Sequence, residues 1–73
     1  MQSFDLSELF DQYSIVNKSV QEFADNLSVL ANHVGGQSGV DETFKRVQQN
    51  IANGLPIEES LVEAYRHLRN KLV

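Results

Sequence analysis

The stretch that decides the fold runs from residue 6 to residue 34 and reads LSELFDQYSIVNKSVQEFADNLSVLANHV. Apolar side chains recur in it at alternating steps of three and four residues: Leu6, Leu9, Tyr13, Val16, Val20, Phe23, Leu27, Leu30 and Val34. This spacing is typical of one face of an α-helix, held for roughly four heptads. The pattern therefore predicts one long N-terminal helix from about Leu6 to His33.

Both ends of this predicted helix carry recognisable signals. Asp5 and Glu8 have the spacing of a capping box, and Phe4 and Leu9 have that of a hydrophobic staple. Gly35-Gly36 follows the stripe and favours a stop, because glycine readily adopts the left-handed conformation that closes a helix. The weakest point is 14–17, where Ser, two β-branched residues and Asn lower helix propensity and favour a kink or a break.

A helical hairpin is predicted for the second half. Residues 35–39 form a glycine-rich connector in which Gly39 is expected to tolerate a side chain. A second helix then begins near Ser38 or Asp41 and ends at Asn53-Gly54, where Gly54 is expected to be left-handed. Pro56 fits the first turn of a third helix. The apolar positions of the two helices are Val40, Phe44, Val47 and Ile51, and Ile57, Leu61, Ala64, Leu68 and Leu72.

These elements predict a single all-α domain over residues 1–73, with three or four helices. The first helix would be ~42 Å long, about twice the length of either partner, so a short hairpin cannot cover its whole stripe. Either the helix breaks near 14–17 and folds back, or another chain covers the surplus. We favour the second alternative, which makes the start of the helix an interface. The candidate partner-binding residues are Leu6, Leu9, Phe10, Tyr13, Ile15 and Val16.

Composition narrows the class of protein. The chain has 73 residues, of which 41% are apolar and 22% charged, values typical of a folded globular domain. It has no cysteine, which excludes disulfides, thiolate metal sites and a cysteine nucleophile. No apolar run is long enough to span a bilayer, and we expect a cytoplasmic protein. The net charge is −4, and the acidic excess lies in residues 1–34, which disfavours nucleic acid and anionic membranes as partners.

Catalytic chemistry has little support in the sequence. Glu63 and His67 share a helix face, but we interpret them as an exposed pair whose loss would be nearly silent. The carboxylates of Asp41-Glu42 and Glu58-Glu59 lie in first turns of helices, where the helix dipole accounts for them. The glycine-rich segment 35–39 lacks the preceding strand and the Lys-Ser/Thr of a phosphate loop. We therefore expect no enzyme, no metal, no cofactor and no small-molecule substrate.

Catalysis and nucleic-acid binding have little support, and the apolar stripe of the first helix is longer than the hairpin can cover. Together these observations predict a small acidic module that binds protein, as an adaptor, an inhibitor or a dimerisation element. Its partner would be another protein or a second copy of the chain. The alternative is a small DNA-binding regulator that uses the helical hairpin over 40–72. Glu58 and Glu59 argue against it, because they stand at the start of the helix that would enter the groove of DNA.

Overall fold

A computed structural model describes residues 6–72, and for the last of these the backbone only. Three helices follow one another: α1 (Leu6–Gln12), α2 (Lys18–Ala52) and α3 (Ile57–Leu72). The remaining described residues are turns and linkers and include no strand. The all-α prediction is confirmed. The predicted capping box and staple involve Phe4 and Asp5, which lie outside the described residues.

The first predicted helix is not continuous. It ends at Gln12, and the helical backbone resumes only at Lys18. The prediction of one helix over 6–33 is wrong, while the predicted weak point at 14–17 is where the chain breaks. The described protein measures 31 × 27 × 22 Å, so an unbroken helix of ~42 Å would not fit within its longest dimension.

The end of α1 has the hydrogen bonds of a Schellman motif. The amide of Ser14 donates to the carbonyl oxygen of Asp11 at 3.3 Å, and the amide of Ile15 donates to that of Phe10 at 2.8 Å. Ser14 occupies the position that usually holds glycine and has a φ of +54°. The motif turns the chain so that Ile15, one of the predicted partner-binding residues, enters the core.

The start of α2 is fixed by side chains. The Oδ1 atom of Asn17 accepts hydrogen bonds from the amides of Ser19, at 2.9 Å, and Val20, at 3.4 Å. These bonds satisfy two of the amides that a helix start leaves unpaired. The side-chain amide of Gln21 donates to the carbonyl oxygen of Ile15 at 2.8 Å, which ties the linker to α2.

Gly35 and Gly36 leave the helical conformation and divide α2 into two helical halves, at the position where the sequence predicts a stop. Gly36 has φ +64° and ψ −153°, a conformation essentially confined to glycine, and Gly35 has φ −138° and ψ 15°. The predicted interruption is thus found at Gly35-Gly36, but the predicted length of five residues is wrong, because only these two residues leave the helical conformation. The three-helix prediction fits and the four-helix alternative is not supported, since residues 18–52 form one kinked helix.

The kink brings the two halves of α2 into close contact at Gly39. A Cβ atom at this position would lie 2.6 Å from the carbonyl oxygen of Ala31, a distance that no real Cβ contact tolerates. The expectation that Gly39 accepts a side chain is thus wrong. Its role is to let the second half of α2 approach the first.

The turn between α2 and α3 follows the prediction. The amide of Gly54 donates to the carbonyl oxygen of Ile51 and that of Leu55 to Asn50, both at 3.0 Å, which again makes a Schellman motif. Gly54 has the predicted left-handed backbone, with φ +100°. Ser60 is fully buried, and its amide and hydroxyl both donate to the carbonyl oxygen of Pro56, at 2.9 Å each.

All three helices and the first linker contribute to one core. Its buried apolar residues are Leu9, Ile15, Val20, Ala24, Leu27, Ala31, Val40, Phe44, Val47, Leu61, Ala64 and Leu68. Most of these follow the predicted stripes. Val16 does not: it was predicted on the stripe of the first helix but is 88% exposed, because the break changes the direction of its side chain.

Candidate functional site

The six predicted partner-binding residues are divided between the core and the surface. Leu9 and Ile15 are only 2% and 6% exposed, so in this fold they serve the core, and the expectation that they are left uncovered is wrong. Three others, Leu6, Phe10 and Tyr13, are half-buried against the core. Only Val16 projects into solvent. The physical reason is the break at 13–17, which folds α1 back onto α2.

Phe10, Ile15 and Val16 still line a shallow surface depression of about 470 Å³. Its other walls are polar and include Asp11, Ser14 and Gln21. The break therefore brings part of the predicted site together. The depression is wide and polar at its edge, which gives an apolar ligand little enclosure.

A more apolar groove lies between the first half of α2 and the start of α3. We call it the α2–α3 groove; its volume is about 240 Å³, and it is lined by Asn17, Ser19, Val20, Phe23, Glu58, Leu61 and Val62. Val20 and Leu61 are buried, and Phe23 is half-buried. Val62 is 37% exposed, although it is a large apolar side chain. The groove thus presents an apolar surface that residues 6–72 leave open.

Aromatic contacts hold one wall of this groove in place. The rings of Phe23 and Tyr65 pack edge to face, with centroids 5.9 Å apart and an angle of 63° between the rings. The guanidinium carbon of Arg69 lies 5.8 Å from the centroid of the Tyr65 ring, within the range of a cation–π contact. Because Phe23 is packed against α3, its contribution to the groove is formed before any ligand arrives.

The rim of the groove is acidic. Glu58 lines it, and Glu58 also lines a second depression beside α3, together with Leu55, Glu59, Val62, Glu63 and Arg66. Glu58 and Glu59 are both exposed. Within residues 6–72 the ion pairs are Arg46–Glu63 and Lys71–Glu42, so neither Glu58 nor Glu59 is neutralised by one.

Glu63 forms an ion pair and hydrogen bonds with residues of α2. Its carboxylate accepts hydrogen bonds from Nε and Nη2 of Arg46, with shortest distances of 2.8 and 2.6 Å, and from Nδ2 of Asn50 at 2.8 Å. The hydrogen bond from Arg46 is the main reason that the pKa of Glu63 falls from 4.5 to about 2. The interpretation of Glu63 as an exposed partner of His67 is wrong, because its carboxylate binds Arg46 and Asn50 and joins α3 to α2.

Basic residues gather on the opposite side of the hairpin. Lys45, Arg46, His67 and Lys71 line a cleft of about 230 Å³, but Glu42 lies in the same cleft, 4.0 Å from the Lys71 ammonium. Arg46 is held by Glu63. The positive charge here is therefore largely matched by carboxylates, and nothing in the cleft favours the DNA-binding alternative.

Residues 6–72 contain no group of three His, Asp or Glu side chains arranged to hold a metal ion. Among the helices over the same range, none has the length and apolar character needed to cross a membrane.

Comparison with known proteins adds no relative. No family model matches the chain. Neither the curated proteins nor the solved structures contain a match. The site must therefore be interpreted from its own geometry.

The α2–α3 groove was not predicted from the sequence. Val62 lies one position beyond Leu61, outside the apolar stripe of α3, so the spacing did not predict it to be a core residue. No other feature of the sequence indicated that it would line a binding surface. Phe23 was predicted only as a member of the apolar stripe of the first helix. The available signal was that Glu58 and Val62 are four residues apart and therefore share a face of α3.

Proposed function

We propose that this chain is a small acidic protein-binding module without catalytic activity, and that its partner docks in the α2–α3 groove. The observation that carries the proposal is the exposed apolar side chain of Val62 beside the half-buried ring of Phe23. Scattered exposed apolar residues are ordinary, but here the exposed Val62 and the half-buried ring of Phe23 share one concave surface with a buried floor.

The chemistry of the groove selects the kind of partner. An apolar floor with a carboxylate on the rim suits a segment that carries a large apolar side chain next to Lys or Arg. Glu58 and Glu59 are close to this surface and lack ion-pair partners within residues 6–72, so they favour a basic partner. The net charge of −4 acts in the same direction by steering basic partners towards the protein.

The free energy available from the groove indicates that it is one part of a larger contact. Burying one large apolar side chain contributes ~1.5–3 kcal/mol, whereas a micromolar complex requires about 8 kcal/mol. Several neighbouring contacts must therefore act together. An adaptor or an inhibitor fits this description, and a cytoplasmic setting stays a prediction from the composition.

The proposal is tested by titrating the isotopically labelled protein with a short amphipathic peptide of leucine and lysine, followed by NMR. We expect saturable shifts centred on Phe23, Glu58 and Val62. Val62→Asp should weaken binding at least tenfold, because it places a charge in the apolar surface. Val29→Asp is the matched control, since Val29 is 70% exposed and does not line the groove.

Two results would contradict the proposal. One is a set of shifts that is spread over the surface and does not saturate. The other is equal binding by the Val62→Asp and Val29→Asp proteins. In either case the apolar groove would have no part in recognition.

A further inference from the structure

The short helix α1 is held by few features. It has seven residues, too few to stay helical in water without packing, and Leu9 is its only buried residue. The linker that follows α1 contains Ser14, whose backbone is left-handed. This conformation is unfavourable for a residue with a side chain. The attachment of α1 to α2 therefore depends on the buried Leu9 and the adjoining Ile15, supported by the half-buried Leu6, Phe10 and Tyr13.

The apolar stripe suits a second arrangement of the same residues. In a straight helix, Val16 continues the row from Leu9 and Tyr13 to Val20, and Ile15 lies outside it. In the bent chain the two residues exchange roles, with Ile15 buried and Val16 exposed. Each arrangement thus buries one β-branched residue of the linker and exposes the other.

We propose that α1 swings out on the linker 13–17, that these residues become helical, and that α1 of a second copy takes the vacated place on α2. The product is a reciprocal dimer in which each chain contributes one long helix. It is the interface that the apolar pattern of residues 6–16 suggests.

A second copy is the occupant because it carries the one segment already known to fit. The vacated surface on α2 is shaped for Leu9 and its neighbours, and the α1 of an identical chain restores those contacts. Opening also removes the left-handed conformation of Ser14. The long straight stripe that results, including Val16, is then covered by the partner as in a helix–helix seam.

This inference goes beyond the proposed function and does not need it. The α2–α3 groove is lined by residues of α2 and α3 and by Asn17, and by none of α1. A protein that fails to bind the leucine–lysine peptide could still exchange α1, and the Val62→Asp variant should dimerise like the parent chain.

The test is light scattering during size-exclusion chromatography over a range of protein concentrations, with circular dichroism on each species. We expect a monomer in dilute solution and a dimer with higher helical content on concentration. Val16→Asp should leave the dilute monomer folded, because Val16 is 88% exposed there, yet weaken the dimer at least tenfold. Val29→Asp is the control, since Val29 is also an exposed valine, at 70%, and it should dimerise normally.

Two substitutions of Ser14 are expected to shift the monomer–dimer equilibrium in opposite directions. Ser14→Gly should shift the equilibrium to the monomer, since glycine accepts the left-handed conformation, and Ser14→Ala should shift it to the dimer. A parent chain that remains monomeric up to millimolar concentration would overturn the proposal. So would a dimer that forms equally well with Val16→Asp, or one with no more helix than the monomer.

Discussion

The guanidinium of Arg46 and the carboxylate of Glu63 form a two-pronged ion pair that joins the second half of α2 to α3. Nε and Nη2 of Arg46 approach Oε1 and Oε2 of Glu63 to 2.8 and 2.6 Å. Asn50 donates a further hydrogen bond to Oε1 at 2.8 Å. Three donors on one helix thus converge on a single carboxylate of the other, which adds a polar contact to the apolar packing of the two helices.

Glu63→Gln should lower the free energy of unfolding by about 1 kcal/mol at neutral pH. This figure is well below what the lowered pKa alone suggests, because the two side chains are 41% and 37% exposed and solvent screens their attraction. Since the pKa of Glu63 falls to about 2 on folding, its contribution is complete above pH 4.5 and is lost as the pH drops towards 2. Urea titrations across this range measure the effect.

The matched controls are Glu59→Gln and His67→Ala. Glu59 is an exposed carboxylate of the same helix without an ion pair in the described residues, and His67 is exposed beside Glu63. Both changes should leave the stability nearly unchanged. A difference between parent and Glu63→Gln that stays constant from pH 6 to pH 2 would show that the carboxylate charge is not what stabilises this contact.

Gly39→Ala should destabilise the protein by ~1–3 kcal/mol, the range expected for forcing an extra methyl group into a packed contact. The added Cβ would meet the carbonyl oxygen of Ala31 at 2.6 Å, and backbone cannot rotate away as a side chain can. Gly35→Ala is the control, because no atom lies within 4 Å of its added Cβ and its φ is negative. Equal melting temperatures for the two variants would mean that the halves of α2 do not approach each other here.

The two Schellman motifs predict opposite effects of glycine. Ser14→Gly should stabilise the monomer by ~0.5–1 kcal/mol, because it removes the penalty of a side chain at φ +54°. Gly54→Ala should destabilise it by ~1 kcal/mol, because it introduces that penalty at φ +100°. Thermal unfolding of both variants in dilute protein gives the comparison, and the same sign for both would exclude a left-handed residue at one of the two turns.

Leu9→Ala should cost ~2–5 kcal/mol, the usual range for emptying a buried leucine site. Val16→Ala should cost almost nothing in the dilute monomer, because its side chain is already in solvent. Denaturant unfolding at low concentration separates the two. Equal and small losses would indicate that α1 does not dock on α2 through Leu9.

The sequence was sufficient where local chemistry decides the conformation. Gly54 and Pro56 mark the α2–α3 turn whatever the rest of the chain does. Ser14 to Asn17 likewise marked a weak point, but not whether the helix would break there, since that depends on whether α2 offers a place for Leu9. The choice between a straight and a broken helix is therefore decided by tertiary contacts, which the spacing of apolar residues does not reveal.

Contacts between residues far apart in the chain could not be predicted from the sequence either. Arg46 and Glu63 are 17 residues apart and lie on different helices, so only the packing of α2 against α3 reveals their pairing. Gly39 was assigned to a loop because three glycines within five residues favour flexibility. Its close approach to Ala31 exists only after the kink has brought the halves of α2 together.

The position of α1 decides which apolar side chains serve the core and which are left for a partner. The most direct measurement is the set of backbone chemical shifts and couplings of residues 12–18 in dilute protein. A fold with α1 turned back onto α2 requires a positive φ at Ser14 and non-helical shifts from Ile15 to Asn17. Uninterrupted helical shifts from Leu6 to Val34 in the monomer would contradict it, and with it the burial of Leu9 and Ile15.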